Sequence, residues 1–169
     1  MKIPFSPPRI DDKTIEAVKE TLLSGWITSG PKTAQFEEEL SNYIGIENVL
    51  CLNSATAGLQ LALEWLGIRK GDEVIVPCYT YCATANVVLQ KGAKPIMIDI
   101  NQDDFNINTN KIKEAITKKT KAIISVDIAG YPVDYDKIKE LISSPEITTL
   151  FNGESDNQKK MGRIAFISD

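Results

Sequence analysis

Four short segments hold residues whose types and spacing could do chemistry. The first is Asn53-Ser54-Ala55-Thr56, between an apolar run and an amphipathic stretch. Backbone N–H groups at a helix start attract anions, and a Ser or Thr hydroxyl adds a donor, which suits a terminal phosphate. Simple helix capping by Ser54 explains the same residues, and taken alone it is the better reading. The second is Pro77-Cys78-Tyr79-Thr80-Tyr81, at the end of another apolar run, where a ring could stack on a flat heteroaromatic group. Ordinary partly buried tyrosines explain it equally simply. The third is Asp169, directly after RIAFIS. A carboxylate there can pair with a protonated pyridine nitrogen, raising its pKa and keeping the ring an electron sink. For an isolated Asp, a turn or cap role is the default. The fourth is the loop Gly25-Trp26-Ile27-Thr28-Ser29-Gly30-Pro31. Glycines around a Trp imply a shaped loop facing substrate or a partner subunit, with a packing role for Trp26 as the plain alternative.

Other chemistries are excluded by what the chain lacks. It has no histidine, which removes Ser-His-Asp and Cys-His catalysis and His-ligated metals together. Its three cysteines (Cys51, Cys78 and Cys82) are too few for a disulfide framework, and no metal-ligand set surrounds them. Cys78 and Cys82, among small and apolar residues, are expected to be buried. The lysines fall mainly on polar helix faces, none of them a desolvated nucleophile. Asp103 and Asp104 read as a solvated turn, while Asp99 and Asp127 lie near strand ends and could approach a site. No G-x-G-x-x-G follows a strand and no P-loop signature is present, so Rossmann dehydrogenases and P-loop enzymes are disfavoured. A net charge of −4 argues against a nucleic-acid partner. No apolar run approaches the roughly 20 residues that cross a bilayer, and MKIPFSPPRIDD has no signal-type apolar stretch. The expected location is cytoplasmic.

The elements that must position these residues alternate between short apolar runs and amphipathic segments. Asp11 or Asp12 caps a helix with Ile15, Val18 and Leu22 on one face, stopped by Gly25. A second helix follows Pro31, with Phe36, Leu40 and Ile44 in a stripe and Gly45 at its end. Strands are expected at 48–52, 73–77, 94–100, 121–128 and 163–168. Helices are expected through Leu59 to Leu66, through Thr84 to Val88, after Asn108 or Thr109, and after Asp134. Residues 144–162 read as a polar, flexible surface loop. Strands separated by helices of 10–15 residues imply crossover units and a mostly parallel sheet flanked by helices. Near-continuous apolar strands imply that both sheet faces are covered. In such sheets ligands bind at the carboxyl ends of the strands.

The segments GWITSGPKTAQFEEEL, LNSATAGLQLAL, GDEVIVPCYTYCATANVV, GAKPIMIDI and FISD, in that order, resemble the DegT/DnrJ/StrS-type family of pyridoxal-phosphate-dependent sugar aminotransferases. The resemblance runs from about Pro4 to Asp169, apart from 144–162. It implies an α/β fold, the partial large domain of a fold-type I transferase, with pyridoxal 5'-phosphate as cofactor. Amino transfer from glutamate to a keto group of a nucleotide-linked sugar, by a homodimer with sites at the subunit interface, is also implied. By the same resemblance Ala55 and Thr56, with Ser54 beside them, hold the cofactor phosphate, Tyr81 stacks on the pyridine ring, and Asp169 pairs with the ring nitrogen. Trp26 and Thr28 belong to a loop near the active site.

Two departures qualify the resemblance. Asp127, in SVDIAGYP, stands where many relatives carry histidine. Family members are well over twice this length, and the lysine that carries the cofactor lies beyond Asp169 in the family pattern. The expected organisation is therefore an incomplete cofactor-binding domain, with a helical segment at 1–45, an α/β core at 46–169, and no carboxyl-terminal domain. No catalytic residue is expected within the chain, which by itself would be inactive and, with sheet edge and apolar surface left bare, prone to aggregate. A sugar dehydratase on the same scaffold and a non-catalytic binding module are the competing expectations.

Overall fold

The computed structural model describes residues 6–169; positions 1–5 of the amino-terminal stretch lie outside the described residues. The chain divides into two units, between Cys51 and Leu52.

The first unit is helical. Helix α1 (Asp12–Leu23) starts where the Asp11 carboxylate accepts the Thr14 N–H at 3.0 Å. Helix α2 (Pro31–Ile44) begins on a proline, whose missing N–H costs nothing at that position, and ends at Gly45 in the left-handed conformation. The expected stripes form, yet neither helix has a buried residue. Residues 48–52 form no strand, contrary to expectation, and Leu50 and Leu52 are exposed. The Glu37 carboxylate accepts the Cys51 N–H at 2.7 Å, so a side chain takes the donor that a strand ladder would use.

The second unit carries the sheet. In chain order it contains α3 (Ala55–Trp65), β1 (Glu73–Pro77), α4 (Ala83–Gln90), β2 (Lys94–Ile98), α5 (Thr109–Ala115), β3 (Thr120–Ser125), α6 (Tyr135–Ser143), α7 (Pro145–Leu150), α8 (Asp156–Met161) and β4 (Ala165–Ser168). The four strands run parallel in the order β2-β1-β3-β4. Alternate residues feed two cores. Val74, Val76, Ala122, Ile124 and Ala165 pack with Leu59, Leu63, Val87 and Val88 of α3 and α4. Ile75, Ile123 and Ile98 pack with Ile112, Ile138, Ile142 and Ile147 of α5, α6 and α7. Every residue of β3 is buried, as a strand covered on both faces should be. The edge strand β2 departs from that, with Lys94 and Met97 exposed.

The chain moves outward from β1 to β2 and then returns past β1 to β3. That reversal opens a crevice between the carboxyl ends of β1 and β3, the usual ligand position in such sheets.

The polar stretch 144–162 is not a flexible loop; it forms α7 and α8, with Ile147 and Gln158 buried. Its polar side chains cap another helix. Ser155 Oγ and Gln158 Nε2 both donate to the Leu66 carbonyl, at 2.7 and 2.9 Å, and Asn157 Nδ2 donates to the Trp65 carbonyl at 2.6 Å. The orphan carbonyls at the end of α3 are thereby satisfied. Among the described residues no helix is long and apolar enough to cross a membrane.

Candidate functional site

Asp169 extends the sheet by one residue. Its N–H donates to the Ser125 carbonyl at 2.9 Å, and its carbonyl accepts the Asp127 N–H at 3.1 Å. Its side chain is fixed from the neighbouring helix: the Thr84 hydroxyl donates to Asp169 Oδ2 at 2.8 Å. Thr84 is fully buried in the first turn of α4. Thr80 Oγ lies 2.8 Å from Thr84 Oγ. Because Thr84 gives its proton to the carboxylate, Thr80 is the donor in that second bond. The result is a directed chain, Thr80 to Thr84 to Asp169.

Tyr81 projects from the turn between β1 and α4, 79% exposed. Beside it Cys78 and Cys82 are exposed, against the expectation that both are buried. The physical reason is their place beyond the last covered residue of β1. The Cys78 N–H still pairs with the Ile98 carbonyl at 2.8 Å, while its Sγ turns outward to Asp99 Oδ1 at 3.7 Å. Asp99 is committed to Lys111 at 3.0 Å, and that bond, with the Ile100 N–H, holds its carboxyl below the usual range. Asp104 accepts the Asn106 N–H at 2.9 Å, the polar turn expected around Asp103 and Asp104.

Ser54 caps α3, its Oγ accepting the Ala57 N–H at 3.1 Å. The Ala55 and Thr56 N–H groups have no hydrogen-bond partner among the described residues. Gln60 bonds Gln90 and Glu64 pairs with Lys91, so the two helices are neighbours. The short link from Trp65 to Glu73 returns the chain to the start of β1, so α3 runs opposite to β1, as α4 does. Since α4 starts at the carboxyl end of β1, the open N–H groups of α3 point toward that same end. Helix start, exposed ring and fixed carboxylate therefore belong to one edge of the sheet.

Asp127 also reaches this edge, but its carboxylate is turned away. Oδ1 accepts the Val133 N–H at 3.1 Å and Oδ2 accepts the Tyr135 hydroxyl, whose oxygen lies 3.0 Å from Ser168 Oγ. The bond to Asp127 pushes the Tyr135 phenol above its ordinary value, against a smaller opposing effect of Ser168.

Trp26 and Thr28 lie in the first unit. The Trp26 indole N–H donates to the Ser29 carbonyl at 2.9 Å and its backbone N–H donates to Ser24 Oγ at 3.1 Å. The ring covers Gly30 so closely that a Cβ there would stand 2.0 Å from Nε1. The glycine thus makes room for the tryptophan, and Trp26 and Thr28 line an open groove with Val18, Leu22 and Phe36.

Sequence reasoning missed Thr80 and Thr84, whose only signal is threonine at two positions four apart across a strand-to-helix turn. Lys121, the first residue of the expected strand 121–128, is 1% exposed, a desolvated lysine that was not singled out among the lysines. Its Nζ donates to the Asn152 carbonyl and lies 3.9 Å from the Glu154 carboxylate. Lys121 sits at the start of β3, the end of the strand opposite Asp169.

A family model described as the DegT/DnrJ/EryC1/StrS aminotransferase family matches residues 8–152. The UDP-4-amino-4-deoxy-L-arabinose–oxoglutarate aminotransferase of Shewanella sediminis is 43% identical over 139 residues, covering 82% of this chain and 36% of that protein. A candidate sugar aminotransferase from Streptococcus pneumoniae, in its PMP form, superposes with a TM-score of 0.95 at 45% identity, over 100% of this chain and 42% of that one. The GDP-4-keto-6-deoxy-D-mannose-3-dehydratase of E. coli, with bound hydrated PLP, gives a TM-score of 0.80 at 28% identity, over 86% of this chain and 39% of that one. The chain spans about two fifths of the length of these relatives.

Proposed function

Because the chain belongs to the DegT/DnrJ/EryC1/StrS aminotransferase family, we propose that it forms the cofactor cradle of a pyridoxal-phosphate-dependent aminotransferase acting on a keto group of a nucleotide-linked sugar, with glutamate as amino donor and a homodimer as the working form. The observation that carries this reading is the carboxyl edge of the sheet, where Asp169 is fixed by Thr84, Tyr81 is bare, and the first N–H groups of α3 are open. The Shewanella relative supports the nucleotide-sugar substrate and the pneumococcal structure supports the cofactor.

The residues present fit pyridoxal phosphate on three counts. Ala55 and Thr56 offer backbone N–H groups at a helix start, which bind a phosphate dianion with the dipole in their favour. Tyr81 presents an uncovered aromatic face. Asp169 keeps Oδ1 without a hydrogen-bond partner among the described residues, while Oδ2 is taken by Thr84. Bound there, the cofactor supplies an electron sink for moving an amino group. Asp169 holds the ring nitrogen protonated, Tyr81 fixes the ring plane, and the start of α3 anchors the phosphate. Trp26 and Thr28 lie next to the substrate in this reading.

Titration of pyridoxamine 5'-phosphate into the chain tests the cradle, because that form needs no covalent link. We expect saturable binding by calorimetry, abolished or weakened at least tenfold by Asp169→Ala, in line with a charge-assisted bond of about 1.5–3 kcal/mol. Absence of saturable binding by the wild type would sink the reading. The dehydratase at 28% identity shares the fold and supports a second reading, sugar dehydration on the same cradle. Product analysis with a keto-sugar nucleotide and glutamate separates the two: an amino sugar or a deoxy sugar.

A further inference from the structure

We infer that Thr84, and Thr80 behind it, are positioning residues that set the orientation of Asp169 toward the ring nitrogen; the inference rests on the cofactor reading above. Three observations carry it. Asp169 is an exposed residue, and among the described residues its side chain makes one hydrogen bond. That bond comes from Thr84, which is fully buried and 85 residues away in sequence, at 2.8 Å to Oδ2. Thr84 in turn is held by the Thr80 hydroxyl at 2.8 Å, so its own hydroxyl cannot turn away without breaking both bonds. A buried hydroxyl that loses its partner costs about 1–3 kcal/mol, which makes the directed chain the favoured state.

The arrangement divides the carboxylate between two tasks. Oδ2 is occupied from the α4 side, and Oδ1 has no partner among the described residues. The backbone of Asp169 is fixed separately, by Ser125 and Asp127. Main chain and side chain are thus located by independent contacts, and only the hydroxyl chain governs which oxygen faces outward. Thr80 and Thr84 also flank Tyr81, so one short turn carries the exposed ring and the support of the carboxylate.

The test uses the 169-residue chain and pyridoxamine 5'-phosphate labelled with ¹⁵N in the ring, comparing wild type with Thr84→Val, Thr84→Ser, Thr80→Val and Asp169→Asn. Two quantities are read: the dissociation constant, and the ring-nitrogen chemical shift of bound ligand, which reports protonation. In wild type the bound nitrogen is expected in the protonated range. Thr84→Val is expected to bind about tenfold more weakly and to move the shift toward the unprotonated range. Thr84→Ser restores both, Thr80→Val moves both in the same direction by less, and Asp169→Asn gives the largest change. A Thr84→Val protein that binds with an unchanged nitrogen shift, or a serine variant that fails to rescue while its circular dichroism is native, overturns the positioning role and leaves the cradle standing. Absence of binding by the wild type overturns the cofactor reading and the positioning role with it.

Discussion

Two aspartates at one sheet edge have been given opposite duties by their hydrogen bonds. Asp169 and Asp127 share a backbone bond, yet Thr84 leaves one carboxylate oxygen of Asp169 open while Val133 and Tyr135 occupy both oxygens of Asp127. Asp127 therefore ties the end of β3 to the start of α6 and does not face a ligand. The consequence for Tyr135 is a test. Its pKa is raised, chiefly because its hydroxyl donates to the Asp127 carboxylate and ionising it would set two negative charges side by side. A raised pKa means that the folded state holds the proton more tightly than the unfolded chain. The stability from this bond is then fully present below the ordinary tyrosine value of 10.0 and is lost as pH rises through the higher folded value. We expect the wild-type urea midpoint to fall as pH rises from about 10 upward more steeply than that of Tyr135→Phe, which lacks the titrating group. Parallel curves for the two proteins would remove the Asp127–Tyr135 bond as the cause. None of this was readable from SVDIAGYP, because which oxygen of a carboxylate is occupied depends on partners that only the fold brings together.

Helix caps were the most legible elements, and helix partners the least. Asp11, Ser54, Asn108 and Asp134 each cap the helix that follows, as their side-chain chemistry dictates. Strand 73–77 was legible as an apolar run, and the run 121–128 located β3, which ends at Ser125; 48–52 shows the limit of that signal, since an apolar run becomes a strand only when a neighbour takes its backbone donors. The stretch 144–162 failed for the converse reason. Its polar residues are spent on the carbonyls of α3, and sequence polarity cannot distinguish a side chain that meets water from one that meets a carbonyl. Gly67 is the hinge of that arrangement. It adopts a φ of +69°, and a Cβ there would lie 2.7 Å from the Ser155 Cβ. Gly67→Ala adds roughly 1–2 kcal/mol of left-handed backbone strain to that collision, which pushes α8 off the end of α3. We expect a lower unfolding midpoint together with faster amide exchange in 155–161. Loss of stability without faster exchange there would show that the strain is absorbed in the backbone alone.

The distribution of apolar surface differs between the two units. In the second unit both sheet faces are covered by cores rich in isoleucine, valine and leucine. In the first, Ile15, Val18 and Leu22 stand more than half exposed along α1, and Trp26, Ile27 and Phe36 extend the apolar surface beside them. Amphipathic helices owe their stability to burial of the apolar face, so a stripe left in water favours association. The net charge of −4 is modest, and repulsion between copies is weak against burial of several such side chains. We therefore expect the chain to self-associate reversibly, with a sedimentation coefficient that rises with concentration. The double variant Val18→Lys, Leu22→Lys places like charges one helical turn apart on that stripe and should shift the distribution toward the monomer with unchanged far-ultraviolet circular dichroism. Substituting Met97, the exposed apolar residue on edge strand β2, by lysine provides the contrast. If the edge of the sheet drives association, Met97→Lys disperses the chain and the α1 variant does not. If the helical stripe drives it, the order is reversed, and the surface that brings copies together is the one that also carries the Trp26 loop.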